Sequence, residues 1–368
     1  MLHATIFPGR YVQGCDALSD LAEELSRFGK RGLFVCDPFV FEKIFPDIRH
    51  EIEEKIEVKV ERFVGECSDE EIERLSEIGK KYQVEFVAGL GGGKTLDTAK
   101  AIAHELGVSA CVVPTIASTD APCSSLSVIY TPEGKFKRYL KLRKNPDLVM
   151  VDTRVIANAP VRFLIAGMGD ALATWFEAES CKNKYAQNLA GGLGSMAAFS
   201  LARLCYDILL EYGIYAKISC EAHVVTPALE HIIEANILLS GIGFESGGLA
   251  AAHAIHNGLT LLEETHSYYH GEKVAIGTLT SLFLTDKPHK IIDEVFSFCE
   301  SVGLPTTLDE IGISDISERK LLKVAEGACA EGETIYNESI PVNPQKVVAA
   351  IKAADAEGKR RKASYIKK

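Results

Sequence analysis

Between residue 30 and about residue 150 the chain alternates short apolar runs with amphipathic stretches, and this alternation constrains the fold more than any other feature. Parallel strands cannot be joined by a tight turn, so apolar runs separated by helical segments imply a parallel sheet with helices packed on it. Gly32-Leu33-Phe34-Val35-Cys36-Asp37 reads as the first buried strand and turns at Pro38. Residues 56–63 alternate as a strand with one wet face, and Ser68-Asp69-Glu70-Glu71 opens a helix to about Tyr82 with a hydroxyl cap and acids in its first turn. Further strands are expected at 84–89, 110–115 and 146–152, with a hairpin over 126–140. After Pro160 the pattern turns helical, with breaks expected at Gly213, Pro227, Pro305 and Pro344. The expected architecture is an α/β Rossmann-like nucleotide-binding domain over 1–159 followed by an all-α domain over 160–368, with a ligand cleft between them.

The strand at 84–89 runs straight into Leu90-Gly91-Gly92-Gly93-Lys94-Thr95-Leu96-Asp97. Three glycines between a strand and a helix let backbone N–H groups approach a pyrophosphate at a helix N-terminus. The run is neither GxGxxG nor a P-loop, and a plain tight turn is the competing reading. Asp37, at the end of an earlier strand, is placed to accept hydrogen bonds from a ribose and to repel a 2′-phosphate, favouring NAD over NADP. The polar loop 116–125 falls at the same sheet edge, or is a simple connection.

In the second half, Gly247-Gly248-Leu249-Ala250-Ala251-Ala252-His253-Ala254-Ile255-His256-Asn257-Gly258 reads as a helix with His253 and His256 on one face. His270, at the next turn-to-helix junction, can converge on the same point, and Asp170 sits in an apolar helix pattern where an unpaired carboxylate is costly. Two readings stand: a transition-metal site, or hydrogen-bonded core residues.

Composition sets the outer bounds. A net charge of −11 argues against nucleic acid, and no apolar run suits a signal peptide or a membrane span, so a cytoplasmic protein is expected. Ten cysteines stand as singles without a CxxC pair, which suits reduced, buried thiols; Cys123, in the polar loop, is the one to check. The terminal cluster Lys359-Arg360-Arg361-Lys362, with Lys367 and Lys368, reads as a solvated helix end.

Four motifs occur in order: Gly91-Gly92-Gly93-Lys94-x2-Asp97, Pro114-Thr115-x2-Ser118-x-Asp120, Gly167-Met168-Gly169-Asp170, and Gly248-x4-His253-x2-His256-Asn257-Gly258 with His270-Gly271-Glu272. From about Pro8 to Asp355 the chain resembles the glycerol-oxidising members of the metal-dependent, iron-type alcohol dehydrogenase superfamily, whose fold is dehydroquinate synthase-like. The resemblance implies that Asp170, His253 and His270 bind one divalent metal per subunit, normally zinc, with His253 and His270 thereby at the substrate. His256 would lie beside nicotinamide and substrate without ligating the metal, as a catalytic residue together with Asp120, which matches a position contacting substrate hydroxyls. Asp37, Gly92, Gly93, Lys94, Thr115, Ser118, Ser124, Leu126 and Tyr130 would contact NAD. Iron-dependent members carry a histidine four residues after the aspartate; Thr174 stands there, which supports zinc with open positions for a diol. The resemblance also implies a small polyol substrate, hydride transfer to NAD and a homo-octamer.

Relatives of similar architecture act on phosphorylated substrates, such as dehydroquinate synthase and glycerol-1-phosphate dehydrogenase, and call for a cation cluster absent around Asp120 and His253. An NAD-dependent hydroxycarboxylate dehydrogenase is the nearest alternative, disfavoured by like-charge repulsion at Asp120. A non-catalytic NAD-binding relative is disfavoured by the intact Asp170, His253 and His270.

Overall fold

The computed structural model describes residues 1–366. Six strands form one parallel sheet: β1 (Tyr11–Gly14), β2 (Arg31–Cys36), β3 (Glu57–Arg62), β4 (Phe86–Gly91), β5 (Ser109–Pro114) and, after the β6 (Leu126–Tyr130) and β7 (Phe136–Lys141) antiparallel hairpin, β8 (Leu148–Asp152). The order is β1-β8-β5-β4-β2-β3. Side-chain alternation explains the continuous apolar runs: Phe34, Cys36, Phe86 and Ala88 enter one core, while Leu33, Val35 and Val87 enter another. β1 carries no apolar run, only four half-buried residues including Gln13 and Gly14, and forms an edge beside β8. Ser68 caps the Asp69–Tyr82 helix by accepting from the Glu71 N–H at 3.2 Å.

The chain divides into two compact units. One is Ile6–Val161 with Ser219–Gly241; the other is Met1–Thr5, Arg162–Ile218 and the residues from Ile242 onward. The helical segment Ser219–Gly241, which the sequence pattern groups with the second half, thus belongs to the sheet-bearing unit, where Asn236 donates to the Ala117 carbonyl at 3.1 Å.

The second unit is helical, with a core that includes Ala251, Ala254, Ile255, Leu259, Leu321 and Val324. The break expected at Gly213 does not occur: the Met196–Glu221 helix runs through it, and the missing side chain leaves room for the Phe298 ring, which a Cβ would approach to 2.7 Å. Pro227 and Pro344 each start a helix, Pro227–Glu234 and Pro344–Ile366. The terminal basic cluster is not uniformly solvated. Arg361 is buried, with Nε 2.8 Å from Glu300, Nη1 2.5 Å from Asp293 and Nη2 2.6 Å from Ser297. Lys367 and Lys368 lie outside the described residues. Eight of the ten cysteines are buried, Cys15 is exposed and all are free thiols. No helix among the described residues is long and apolar enough to cross a membrane.

Candidate metal and dinucleotide sites

In the helical unit, the Val161–Lys184 helix presents Asp170 and Glu177 seven residues apart on one face, both 1% exposed. The Ala251–Leu259 helix supplies His253 and His256, and the His270–Leu284 helix begins on His270. Close backbone approach brings these together. A Cβ on Gly271 would lie 1.7 Å from the Ala166 carbonyl oxygen, so only glycine lets the start of the His270 helix rest on the Val161 helix. The same start is clamped by Arg162, which donates to both Glu272 oxygens at 2.6 and 2.9 Å and lies 4.6 Å from the Tyr269 ring centroid. Glu272 in turn accepts from the Tyr269 N–H at 2.8 Å. His270 Nε2 then lies 3.0 Å from Asp170 Oδ1, and His253 Nε2 3.4 Å from the same oxygen.

The hydrogen bonds behind the imidazoles fix which nitrogen faces Asp170. Glu177 accepts from His253 Nδ1 at 2.6 Å, so Nε2 is the nitrogen that faces Asp170 and that gives up its proton where a cation takes its place. Asn257 donates to Glu333 at 3.1 and 3.3 Å, which turns its Oδ1 toward His256 Nδ1, 3.2 Å away. His256 Nδ1 is therefore the protonated nitrogen and its Nε2 accepts from His270 Nδ1 at 3.0 Å, leaving His270 Nε2 as the second nitrogen that faces Asp170. Burial together with His270 and Lys273 holds His256 well below the usual imidazole range, consistent with a neutral ring. Burial works against charge on His253 and Asp170 as well. There the interaction wins: Glu177 and Asp170 lift His253 well above its usual value, and the imidazoles of His270 and His253 hold the Asp170 carboxyl far below its own.

Asp170, His253 and His270 offer donor atoms that all lie within 4.8 Å of one another. Two imidazole nitrogens and a carboxylate, each imidazole braced from behind, fit a divalent cation. Thr174, one turn after Asp170, is fully buried and offers only a hydroxyl where a fourth imidazole would be needed.

The sheet-bearing unit holds the second group. β2 and β4 are neighbours whose following connections lead to opposite sides of the sheet, a topological switch point, and Asp37 and the glycine turn lie at their carboxyl ends. Gly91 has φ +151°, and a Cβ there would meet Asp37 Oδ2 at 2.5 Å, so backbone and carboxylate share one small space. Asp37 Oδ1 already accepts from the Val40 N–H at 2.8 Å. Gly92 precedes the Gly93–Leu106 helix without a capping side chain, and Thr115 N–H donates to the Gly91 carbonyl at 3.1 Å. Lys94 Nζ stands 2.6 Å from Glu66 Oε1 and 5.2 Å from the Tyr130 ring centroid.

The loop bearing Ser118, Asp120, Ser124 and Leu126 is anchored by a residue the sequence reading passed over. Lys100 is fully buried and donates to the carbonyls of Ala121, Ser124 and Leu126 at 2.9, 3.3 and 2.5 Å, while pairing with Asp97 at 2.9 Å. Asp97 also accepts from the Val128 N–H at 2.9 Å. Two opposite charges three residues apart, in a helix whose other buried residues are uncharged, are the available signal. Ser118 is half-buried, and Asp120 is buried with Oδ2 accepting from Ser240 Oγ at 2.7 Å. Cys123 is buried against Gly241, so it is a packing residue of this unit.

The sheet-bearing unit has a glycine turn at its switch point and the helical unit an Asp–His–His cluster, features of a dehydrogenase class, and residues 8–153 match the model of the iron-containing alcohol dehydrogenase family. The chain belongs to that family, within its glycerol dehydrogenases. It is 64% identical over 362 residues to the glycerol dehydrogenase of Thermotoga maritima, covering 98% of this chain and 99% of that one. A glycolaldehyde reductase of Halobacterium salinarum is 46% identical, over 96% of this chain and 97% of the relative. The crystal structure of glycerol dehydrogenase from Schizosaccharomyces pombe superposes with a TM-score of 0.94 at 39% identity, covering 99% of this chain and 93% of that one.

Proposed function

We propose that this protein oxidises glycerol and related vicinal diols such as 1,2-propanediol, reversibly, with NAD as acceptor and one zinc ion per subunit. The observation that carries the reading is the convergence of Asp170, His253 and His270 in a chain 64% identical to a glycerol dehydrogenase along nearly its whole length. When bound, zinc supplies Lewis acidity toward a hydroxyl and NAD supplies the hydride acceptor. The overall change removes a hydride from the carbinol carbon and a proton from its oxygen, giving dihydroxyacetone from glycerol.

The chain's own residues bind and orient. Asp170, His253 and His270 hold the cation, with Glu177 and His256 fixing the two imidazoles. Gly92, Gly93 and Lys94 receive the pyrophosphate at the helix N-terminus, and Asp37 receives the adenosine ribose. Thr115, Ser118, Ser124, Leu126 and Tyr130 line the remaining length of the cofactor. Asp120 accepts a hydrogen bond from a substrate hydroxyl and repels a substrate carboxylate. His256 stands beside nicotinamide and substrate. The same reading includes a homo-octamer in the cytoplasm.

The test is NAD reduction with glycerol, 1,2-propanediol and 2-hydroxybutyrate, before and after chelation and with zinc restored. Glycerol-dependent reduction that disappears on chelation and returns with zinc is expected. Turnover confined to 2-hydroxybutyrate would move the substrate to the hydroxy acids, and turnover indifferent to chelation would remove the metal. A second reading, reduction of glycolaldehyde, is favoured by the 46% identical relative, and NADH oxidation with glycolaldehyde measures it directly.

A further inference from the structure

We infer that the segment 333–338 is the outer support of the metal cluster, with Glu338 and Glu333 as positioning residues for His253 and His270. The inference rests on the reading that the cluster holds a divalent cation.

The need for such a support is visible at the start of the Ala251–Leu259 helix. The first N–H groups of a helix have no partner within it, and Ala250, at the capping position, has no side chain that can accept from them. Two remote carboxylates take over. Glu177 Oε1 accepts from Ala250 and His253 at 2.9 and 3.0 Å, and Glu338 Oε1 accepts from Ala251 at 3.1 Å. Glu338 Oε2 accepts from Ser180 Oγ at 2.6 Å, three residues along the same helix as Glu177. Both acids are almost wholly buried, and an anion at a helix N-terminus is favourable. Thr334 Oγ1 donates to the Ala250 carbonyl and Asn337 Nδ2 to that of Leu249, each at 2.8 Å. Residues 249–251, which set the entry angle of the helix bearing His253, are thus gripped on both their N–H and C=O sides.

The second arm runs through Glu333. Its carboxylate orients the Asn257 amide, which places the proton of His256 on Nδ1 and makes His256 Nε2 the acceptor for His270. Without Glu333 the amide can reverse, and the His256 tautomer that exposes His270 Nε2 to Asp170 loses its preference. One six-residue stretch therefore bears on both histidines, through the helix start on one side and a chain of side-chain hydrogen bonds on the other.

The experiment uses the full chain stripped of metal. Zinc is titrated in competition with a chromophoric chelator, and cobalt(II) is added separately to record its visible absorption. Wild type is compared with Glu338→Ala, Glu338→Gln and Glu333→Ala. Each alanine variant is expected to weaken zinc binding roughly tenfold and to change the cobalt bands, as loss of an outer-sphere partner does. Glu338→Gln is expected to bind nearly as wild type, its amide oxygen accepting from Ala251 and its NH2 donating to Ser180. Folded alanine variants with wild-type affinity and cobalt spectrum overturn the inference, as does a Gln variant as weak as Glu338→Ala. If Glu338→Ala does not fold, Glu333→Ala and Ser180→Ala decide by the same criteria. A wild type that binds neither metal overturns the cluster reading itself, and this inference with it.

Discussion

Glu177 Oε2 lies 2.6 Å from His253 Nδ1 while its other oxygen accepts two backbone N–H groups from the same helix start, so one carboxylate fixes both the tautomer of a ligand and the position of its backbone. All three interactions require acceptors. An amide has only one, so in Glu177→Gln an NH2 group must face either the imidazole N–H or the backbone donors. Zinc affinity of this variant should fall about 10- to 100-fold, read by chelator competition.

Gly271 offers a steric test of the same cluster. A methyl group there would sit 1.7 Å from the Ala166 carbonyl oxygen and 3.0 Å from the Asp170 nitrogen, so Gly271→Ala must push the His270 helix away from the Val161 helix. Overpacking of this kind costs roughly 1–3 kcal/mol or more. A lower melting temperature together with weakened zinc binding is expected; a variant with wild-type values of both would show that the two helices can separate without moving His270.

Much of this was legible in the sequence, and the exceptions have physical reasons. Buried parallel strands need apolar residues on both faces, so β2, β4, β5 and β8 announce themselves, whereas β1 is short and half-buried and does not. Gly213 looks like a break because a helical glycine costs stability, but here the missing side chain makes room for Phe298. The histidines stand out through spacing and an alanine-rich setting. Glu177, Glu333 and Glu338 do not, since an acid in a helix or loop is usually solvated; only its place seven residues after Asp170 marks Glu177. Lys100 was hidden for the same reason, as its burial depends on carbonyls from a loop more than twenty residues away.

Lys94 tests the dinucleotide reading. A charge-assisted contact to phosphate contributes about 1.5–3 kcal/mol, so Lys94→Ala should raise the KM for NAD roughly 10- to 100-fold with kcat at saturating NAD little changed. Glu66 competes for the same ammonium in the ligand-free chain. Because that pair is solvent-exposed on the lysine side, Glu66→Gln should lower the KM for NAD only about fivefold or less.

Lys100→Met should act through the loop it holds. Removing the ammonium leaves Asp97, whose carboxyl burial already pushes up, without its cation, and strands the carbonyls of Ala121, Ser124 and Leu126. Breaking a buried pair costs about 3–5 kcal/mol, so a clear fall in melting temperature is expected. Asp97→Asn combined with Lys100→Met should recover part of it, and a double variant as unstable as the single one would mean that the carbonyls, not the aspartate, dominate the loss.

The pH dependence of stability can be traced to Glu338. Burial, with a further push from Glu177, raises its carboxyl to about 7, against the opposing hydrogen bonds of Ser180 and Ala251 and the charge of Lys287. The folded state therefore binds this proton more tightly than the unfolded chain, where a glutamate titrates at about 4.3. The resulting stabilisation is fully present below the unfolded value and is lost as pH rises through about 7. Across pH 4 to 8 the change is about 3 kcal/mol. Glu338→Gln cannot titrate, so the stability difference between wild type and variant isolates this group from every other. In metal-free protein, wild type should lose ground against the Gln variant as pH rises from 4 to 8, with most of the change between pH 5 and 7. A difference that stays flat across that range would mean that Glu338 remains ionised when folded, held as an anion by the helix start it caps.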